Sequence, residues 1–174
     1  PQPRRSGLRA IRLENIHSVP YRHGEKDVLV VMNRHGEVIV QDDSGRERER
    51  YGLVYGAHLL VREGQRVTPG AVLAEWDPYT VSILSDGTGV VRFKDILEGQ
   101  TVHEEVDEVT GLSRLIIIDS PDEKKQPAIE VRLKDGVTRR IHMPSRAHLM
   151  VTDGEEVMAG DILAKIPRET TKTK

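Results

Sequence analysis

The sequence predicts an all-β protein built from two related lobes in tandem. Its apolar runs are short, rich in β-branched residues and bounded by turn residues, which is typical of strands. No stretch of 12 residues keeps a helical apolar period between capping residues, so we expect at most one or two short helical turns, near 95–97. An internal repeat then indicates that the strands form two copies of one unit.

The repeat is clearest between residues 57–78 and residues 147–168, aligned at an offset of 90. Nine of these 22 positions are identical, whereas chance alone would match about one. Further upstream the match continues with gaps, and residues 7–11 are a weaker counterpart of residues 89–93. Each half of the chain therefore carries one copy of the same β unit.

The two copies cover roughly residues 7–80 and 88–168. We accordingly expect a first lobe over residues 1–84 and a second lobe over residues 85–174. Within them the clearest strands are predicted at 28–32, 38–40, 115–118 and 129–133. The glycines between the apolar runs can adopt the positive φ angles that tight turns require.

Composition excludes several classes of function. The net charge of −2 over 174 residues is not that of a polycation that binds nucleic acid through its overall charge. The absence of Cys excludes disulfides, thiolate metal sites and Cys nucleophiles, and fits a reducing compartment. With six aromatic residues, the core must be packed from Val, Ile, Leu and Ala. No apolar run approaches the ~18 residues of a membrane span, and no signal peptide is visible; the start at Pro1 suggests an excised fragment.

Each copy centres on the pattern V-x-x-G-x-x-V-x-x-G-x-x-L-A, at residues 61–74 and again at residues 151–164. The first glycine closes one strand, the following Val points inward, and the second glycine leads into the next strand. The pattern resembles the hybrid motif of biotinyl and lipoyl carrier domains. The resemblance implies two tandem sandwich-barrel (barrel-sandwich) hybrid motif lobes.

The same resemblance raises a carrier function, which the sequence disfavours. Carrier domains present a modified Lys in the hairpin that follows the L-A strand. Thr80 and Thr170 occupy that position here. A biotinyl/lipoyl-type carrier, or another hybrid-motif binding domain, therefore stays only as the alternative, and an isolated nucleic-acid-binding module is a third possibility.

Longer stretches resemble the large insertion in the trigger loop of the bacterial DNA-directed RNA polymerase β′ subunit. They are W-D-P-Y-T at 76–80, G-V-V-R-F-K-D at 89–95 and D-E-V-T-G-L-S at 107–113, and the exit of that insertion resembles residues 162–170. The likeness covers roughly residues 7–170, nearly the whole chain.

This resemblance implies a non-catalytic module that modulates trigger-loop movement, nucleotide addition and pausing during transcription. It implies no catalytic residue, cofactor or metal ligand in this chain; Mg²⁺ and Zn²⁺ belong to other parts of the parent nucleotidyltransferase. The implied partners are other elements of the β′ and β subunits, with downstream DNA or secondary-channel regulators as further candidates, in the cytoplasm at the bacterial nucleoid and without a membrane. Because a domain inserted into a loop must not pull it apart, its two ends are expected to lie close together.

The candidate contact surface is a run of alternating charges in the first lobe. Arg46, Arg48 and Arg50 alternate with Glu47 and Glu49. On a strand, a period of two puts the three arginines on one face, where they could meet nucleic acid or an acidic protein surface. The favoured alternative is a solvated edge strand whose charges discourage pairing with another chain.

The histidines predict structural positions more than a metal site. His58 and His148 are equivalent in the repeat, and the only candidate groupings are His103 with its two following glutamates, and His142 with His148. Without Cys the usual structural zinc set is missing.

Trp76 is the only tryptophan and ends the first copy of the repeat. We expect it to anchor a core or a lobe interface, so that replacement by Ala would cost roughly 3–5 kcal/mol if the side chain is buried. Binding a partner is the alternative role.

Overall fold

The computed structural model describes residues 7–23, 26–120, 122 and 124–168. Within these ranges all regular secondary structure is β-strand, which confirms the predicted all-β class. Near 95–97, where a helical turn was allowed for, the chain makes an irregular turn with Asp95 at a φ of +53°. The chain forms two compact units, Pro1–Trp76 and Asp77–Lys174.

The first unit consists of two four-stranded antiparallel sheets. One sheet has the order β5-β4-β1-β7 and the other has the order β2-β3-β6-β8. The strands are β1 (Arg9–Glu14), β2 (Ser18–His23), β3 (Lys26–Val31), β4 (Glu37–Gln41), β5 (Glu47–Gly52), β6 (His58–Leu59), β7 (Arg66–Val67) and β8 (Ala74–Glu75).

The second unit repeats this plan and adds one strand. Its sheets have the orders β14-β13-β10-β16 and β11-β12-β15-β17-β9. The strands are β9 (Thr80–Leu84), β10 (Gly89–Lys94), β11 (Val102–Val106), β12 (Ser113–Ile117), β13 (Ala128–Leu133), β14 (Thr138–His142), β15 (His148–Leu149), β16 (Glu156–Val157) and β17 (Ile162–Pro167).

Strands β10 to β17 thus correspond one by one to β1 to β8, in the same sheet orders. The hydrogen bonds set the register: the amide of Ile11 donates to the carbonyl of Gln65, and the amide of Val91 donates to that of Glu155, both at 2.8 Å. Ile11 therefore corresponds to Val91, and the expected alignment of residues 7–11 with 89–93 is two residues out. A slip of two keeps the inward and outward positions of a strand, so the apolar pattern could not reveal it.

Strand β9 changes where the chain passes from one unit to the next. It pairs antiparallel with β17, from Thr80 opposite Pro167 to Leu84 opposite Ile162. Residues 80–84 therefore belong to the second unit, and the division falls after Trp76, not after residue 84 as expected.

The repeated glycines make the turns that their spacing predicted. Gly64 and Gly154 have φ angles of +78° and +87°, and Gly70 and Gly160 have +85° and +92°. The amide of Gly64 donates to the carbonyl of Ile11 at 2.8 Å, and that of Gly154 donates to Val91 at 2.7 Å. The motif thus ties each turn to the first strand of its own copy.

Each unit has its own aliphatic core, as the scarcity of aromatic residues predicted. The buried cluster of the first unit is Ile11, Val31, Val38, Val40, Leu53, Ala57, Leu59, Val61 and Val67. The buried cluster of the second is Val91, Val102, Ile117, Ile129, Val131, Met143, Ala147, Leu149, Val151, Val157, Leu163 and Ala164. The repeated Val residues of the motif belong to these cores: Val61 and Val67 to the first, and Val151 and Val157 to the second.

A search of the described residues for a helix long and apolar enough to cross a lipid bilayer finds none.

Candidate functional site

The predicted arginine run lies on the outer strand of a sheet in the first unit. Strand β5 pairs with β4 on one side and is the last strand of the sheet order β5-β4-β1-β7. All six of its residues are exposed. Arg46 precedes the strand, and a register shift at Val40/Gln41 interrupts the ladder beside it. The run is therefore a solvated edge strand, with Arg48 and Arg50 inside it.

Both strand arginines are paired with carboxylates. The Nε of Arg48 donates to Oδ2 of Asp42 at 2.9 Å. The guanidinium of Arg50 donates to Glu47 at 2.6 Å and to Glu14 at 2.8 Å, and lies 3.2 Å from Glu37. Although alternation starts Glu47 and Arg50 on opposite faces, their long side chains meet. The charges of Arg48 and Arg50 are therefore compensated locally.

Hydrogen bonds, more than burial, set the protonation of this cluster. The Ser44 hydroxyl donates to Oδ1 of Asp42 at 2.6 Å, and the amides of Ser44 and Arg46 donate to the same oxygen at 2.9 and 3.0 Å. Led by the Ser44 hydroxyl, these donors hold the pKa of Asp42 well below its usual range. The bond from Arg50 likewise lowers the pKa of Glu47, and Glu47 is the main cause of the raised pKa of Arg50.

The counterpart strand in the second unit has the same character. In β14, Arg140 donates to Oε1 of Glu130 at 2.9 and 2.5 Å, and Arg139 lies 3.7 Å from Asp86. Both copies thus present an outer strand with arginines that are paired to acids of the same unit. Exposed ion pairs of this kind add little stability but keep the edge from pairing with other chains. A contact role for Arg46, Arg48 and Arg50 stays a prediction.

The four histidines considered above all lie in strands; they are His58, His103, His142 and His148. His58 and His148 take equivalent places in β6 and β15, opposite Glu75 and Lys165 respectively. Partial burial lowers the pKa of His148. His103 lies beside Glu105, with Nε2 and Oε1 3.0 Å apart.

A metal site would need three or more converging ligands. Within the part of the chain that the structure describes, no group of three His, Cys, Asp or Glu residues is placed to hold an ion. The pair of His103 and Glu105 lacks a third such partner in that part.

Trp76 was expected to anchor a core or a lobe interface, and the expectation of a core is wrong, because the residue is 50 % exposed. It lines a groove of about 1150 Å³ in the first unit, beside Val72, Leu73 and Ala74. The counterparts of Leu73 and Ala74 in the second unit, Leu163 and Ala164, are both fully buried. Strand β9 lies against β17 there, whereas among the described residues no strand lies beside β8 in that way.

The position at which a carrier domain would hold its Lys is also visible in the second unit. Thr80 begins β9, and its hydroxyl donates to Oδ2 of Asp77 at 2.8 Å. Thr170 lies outside the described residues. A carrier function is therefore not favoured.

Sequence reasoning missed a second exposed surface, at the end of the β11–β12 hairpin. Val106, Val109 and Leu112 are 62 %, 93 % and 60 % exposed. Residues 107–113 served as a family signature in the sequence, but strand periodicity says nothing about apolar residues inside a turn. The signal available was three apolar residues in a segment that otherwise carries acids and turn formers.

No protein-family model matches the chain. Among curated proteins, the chain is similar to the DNA-directed RNA polymerase subunit beta' of Koribacter versatilis (strain Ellin345), with 61 % identity over 163 residues, which are 94 % of this chain and 11 % of that subunit. It is also similar to the subunit beta' of Syntrophobacter fumaroxidans (strain DSM 10017 / MPOB), with 44 % identity over 172 residues, which are 94 % of this chain and 12 % of that subunit. The chain thus spans about a tenth of the length of the curated relatives it matches.

Proposed function

We propose, from its homology to a segment of RNA polymerase β′ subunits, that this chain is an insertion carried by the trigger loop of such a subunit. In this role it takes no part in the chemistry and tunes nucleotide addition and pausing. The observation that carries the proposal is an alignment that covers 94 % of the chain, with identities of 61 % and 44 %, and about a tenth of each subunit. The trigger-loop position itself comes from the resemblance of residues 76–80, 89–95 and 107–113.

The physical basis of the modulation is differential contact. A trigger loop that alternates between two conformations carries the insertion with it, and any contact made in only one state changes the ratio of the two states. A difference of about 1.4 kcal/mol would change that ratio about tenfold. Two units with exposed strands and turns provide ample surface for such a contact.

The non-catalytic role is supported by what the exposed polar groups do. The carboxylates of Asp42 and Glu47 beside β5 accept bonds from arginines, a hydroxyl and amides of the same unit. The parent subunit's nucleotidyltransferase activity, with its Mg²⁺ and Zn²⁺, is assigned in this proposal to segments outside the chain. Its partners are then the other β′ and β elements, with downstream DNA and secondary-channel regulators nearby, in the cytoplasm at the bacterial nucleoid.

The test is to excise the insertion from the polymerase that carries it. Residues 7–168 are replaced by a short flexible linker, and single-round transcription measures the elongation rate and the lifetimes of defined pauses. A polymerase with the single substitution Val137→Ser, at an exposed turn residue, is the matched control. We expect excision to change pause lifetimes severalfold while catalysis persists. Unchanged rates and lifetimes, or complete loss of catalysis, would contradict the proposal.

A further inference from the structure

The β11–β12 hairpin is firmly rooted in the second unit. Its strands pair from Val102 opposite Ile117 to Val106 opposite Ser113. At the root, Val102 and Ile117 are buried in the core. The end of the hairpin is therefore held at a fixed place on the unit.

The turn that closes the hairpin is itself well ordered by hydrogen bonds. The amide of Asp107 donates to the carbonyl of Leu112 at 2.9 Å, and the amide of Gly111 donates to the carbonyl of Asp107 at 2.8 Å. The carboxylate of Asp107 accepts bonds from the amides of Val109 and Thr110, at 2.9 and 3.4 Å. Gly111 has a φ of +71°, which allows the chain to reverse. A preordered turn loses little conformational freedom when it binds.

The apolar residues of this turn lie where water covers them. Val109 is 93 % exposed at the end of the turn, and Val106 and Leu112 on its two arms are 62 % and 60 % exposed. Single exposed apolar residues are common, but here three fall within residues 106–112, on a turn that is ordered by its own hydrogen bonds, and we call these three residues the apolar tip. Because it projects on a hairpin, the tip suits a concave socket better than a flat surface.

The hairpin that carries the tip is itself acidic. Residues 103–114 hold four carboxylates, at Glu104, Glu105, Asp107 and Glu108, and one guanidinium at Arg114, a net charge of −3 with His103 neutral. This charge repels the phosphate backbone of a nucleic acid. It complements a protein surface that carries Lys and Arg around an apolar pocket.

The other copy of the repeat shows that the fold does not require this tip. In the first unit, four residues separate Arg22 from its partner Asp27, whereas six separate Val106 from its partner Ser113. The sequence from 20 to 27 contains no Val, Leu, Ile or Met. The strand pair therefore does not depend on a connection of six residues or on apolar residues within it.

We propose that the tip formed by Val106, Val109 and Leu112 docks into an apolar socket with a basic rim on another protein element of the polymerase. This contact rests on the proposed function and deepens it, because it supplies the differential contact that biases the trigger loop. The contact surface proposed here is the apolar end of the acidic β11–β12 hairpin in the second unit. It differs from the one expected from the sequence, the arginines of β5, whose charges are locally compensated.

The first test places a photo-crosslinking amino acid at Val109 in a polymerase whose β′ subunit carries this chain. The matched control carries the same group at Val137, a 46 % exposed valine between β13 and β14. In elongation complexes we expect at least fivefold more crosslinking from position 109, joined to peptides that contain Lys or Arg. Crosslinks to nucleic acid, or yields equal to those at position 137, would overturn the proposal.

The second test substitutes the tip without unfolding the unit. Val106→Ser, Val109→Ser and Leu112→Ser are combined, with Val137→Ser and Met158→Ser as the control; all five residues are exposed. We expect the triple variant to change pause lifetimes at least twofold and the control variant to leave them unchanged. Both variants should have the melting temperature of the unsubstituted protein.

The excised polymerase separates the two proposals. If excision changes pausing but the triple variant does not, docking of the tip is wrong and the modulating role stands. If excision changes nothing, the modulating role is wrong, and crosslinking at Val109 then decides alone whether the tip docks.

Discussion

At the scale of single residues, Gly89 shows where the backbone excludes a side chain. A Cβ atom at this position would lie 2.1 Å from the carbonyl oxygen of Arg132, on the neighbouring strand β13. We expect Gly89→Ala to force the strands apart and to lower the free energy of unfolding of the second unit by about 3 kcal/mol. Urea denaturation of the chain measures the change.

Gly52 is the matched control for that substitution. It also lies at one end of a strand, β5, and a Cβ atom added to it would have no other atom within 4 Å. Gly52→Ala should therefore change the free energy of unfolding by less than about 0.5 kcal/mol. Equal losses in the two variants would show that the close approach of β10 to β13 is not what excludes a side chain at Gly89.

Asp42 makes the stability of the first unit depend on pH. The Ser44 hydroxyl and two backbone amides hold its folded-state pKa below the usual value, so the carboxylate contributes stability above that usual value, near pH 4. This contribution is lost as the pH falls towards the folded-state pKa. Asp42→Asn should therefore be less stable than the parent at pH 7, and the difference should shrink below about pH 4. Urea midpoints from pH 3 to pH 8 measure it, and a gap that widens in acid would contradict this assignment.

At the scale of elements, β9 accounts for the main difference between the two copies. Leu163 in β17 is fully buried beside it, whereas its counterpart Leu73 is only partly buried. Leu163→Ala should cost about 2–5 kcal/mol, as buried Leu truncations do, and Leu73→Ala about 1 kcal/mol. Chemical denaturation of the two single variants compares them directly. Similar costs would mean that β9 does not seal the second core.

The repeat explains why most elements could be predicted and why β9 could not. Identical spacing of Val, Gly and Leu-Ala predicted two equal units, and the units do share their strand orders. Strand β9 lies between the copies, so no internal comparison assigned it to either. The prediction that Trp76 is buried in a core failed for a related reason. Its counterpart Ile166 lies in β17 and pairs with Val81 of β9, whereas Trp76 has no such neighbour among the described residues.

The candidate site was less predictable than the fold because it depends on side-chain partners. Alternation predicted that the arginines of β5 share one face. It could not predict that the carboxylates of Glu14 and Glu37, on β1 and β4, lie beside Arg50. These partners are distant in sequence, and only the sheet order brings them together. The apolar tip of the β11–β12 hairpin was not predicted, because strand alternation makes no statement about residues in a turn.

At the scale of the whole molecule, the proposal treats the chain as two aliphatic β units that ride on a moving loop. Each unit has a core of its own, and each presents charged outer strands that disfavour unwanted pairing. Such a module suits a role in which surface contacts, not chemistry, change the balance between two states of a larger enzyme.

The most direct measurement is the position of this module in the polymerase that carries it. Cryo-electron microscopy of the elongating enzyme would compare complexes with and without a bound incoming nucleotide. The proposal predicts that both units shift relative to the catalytic body when the nucleotide binds, and that the end of the β11–β12 hairpin meets protein in one of the two states. A module that occupies the same place in both complexes would contradict it.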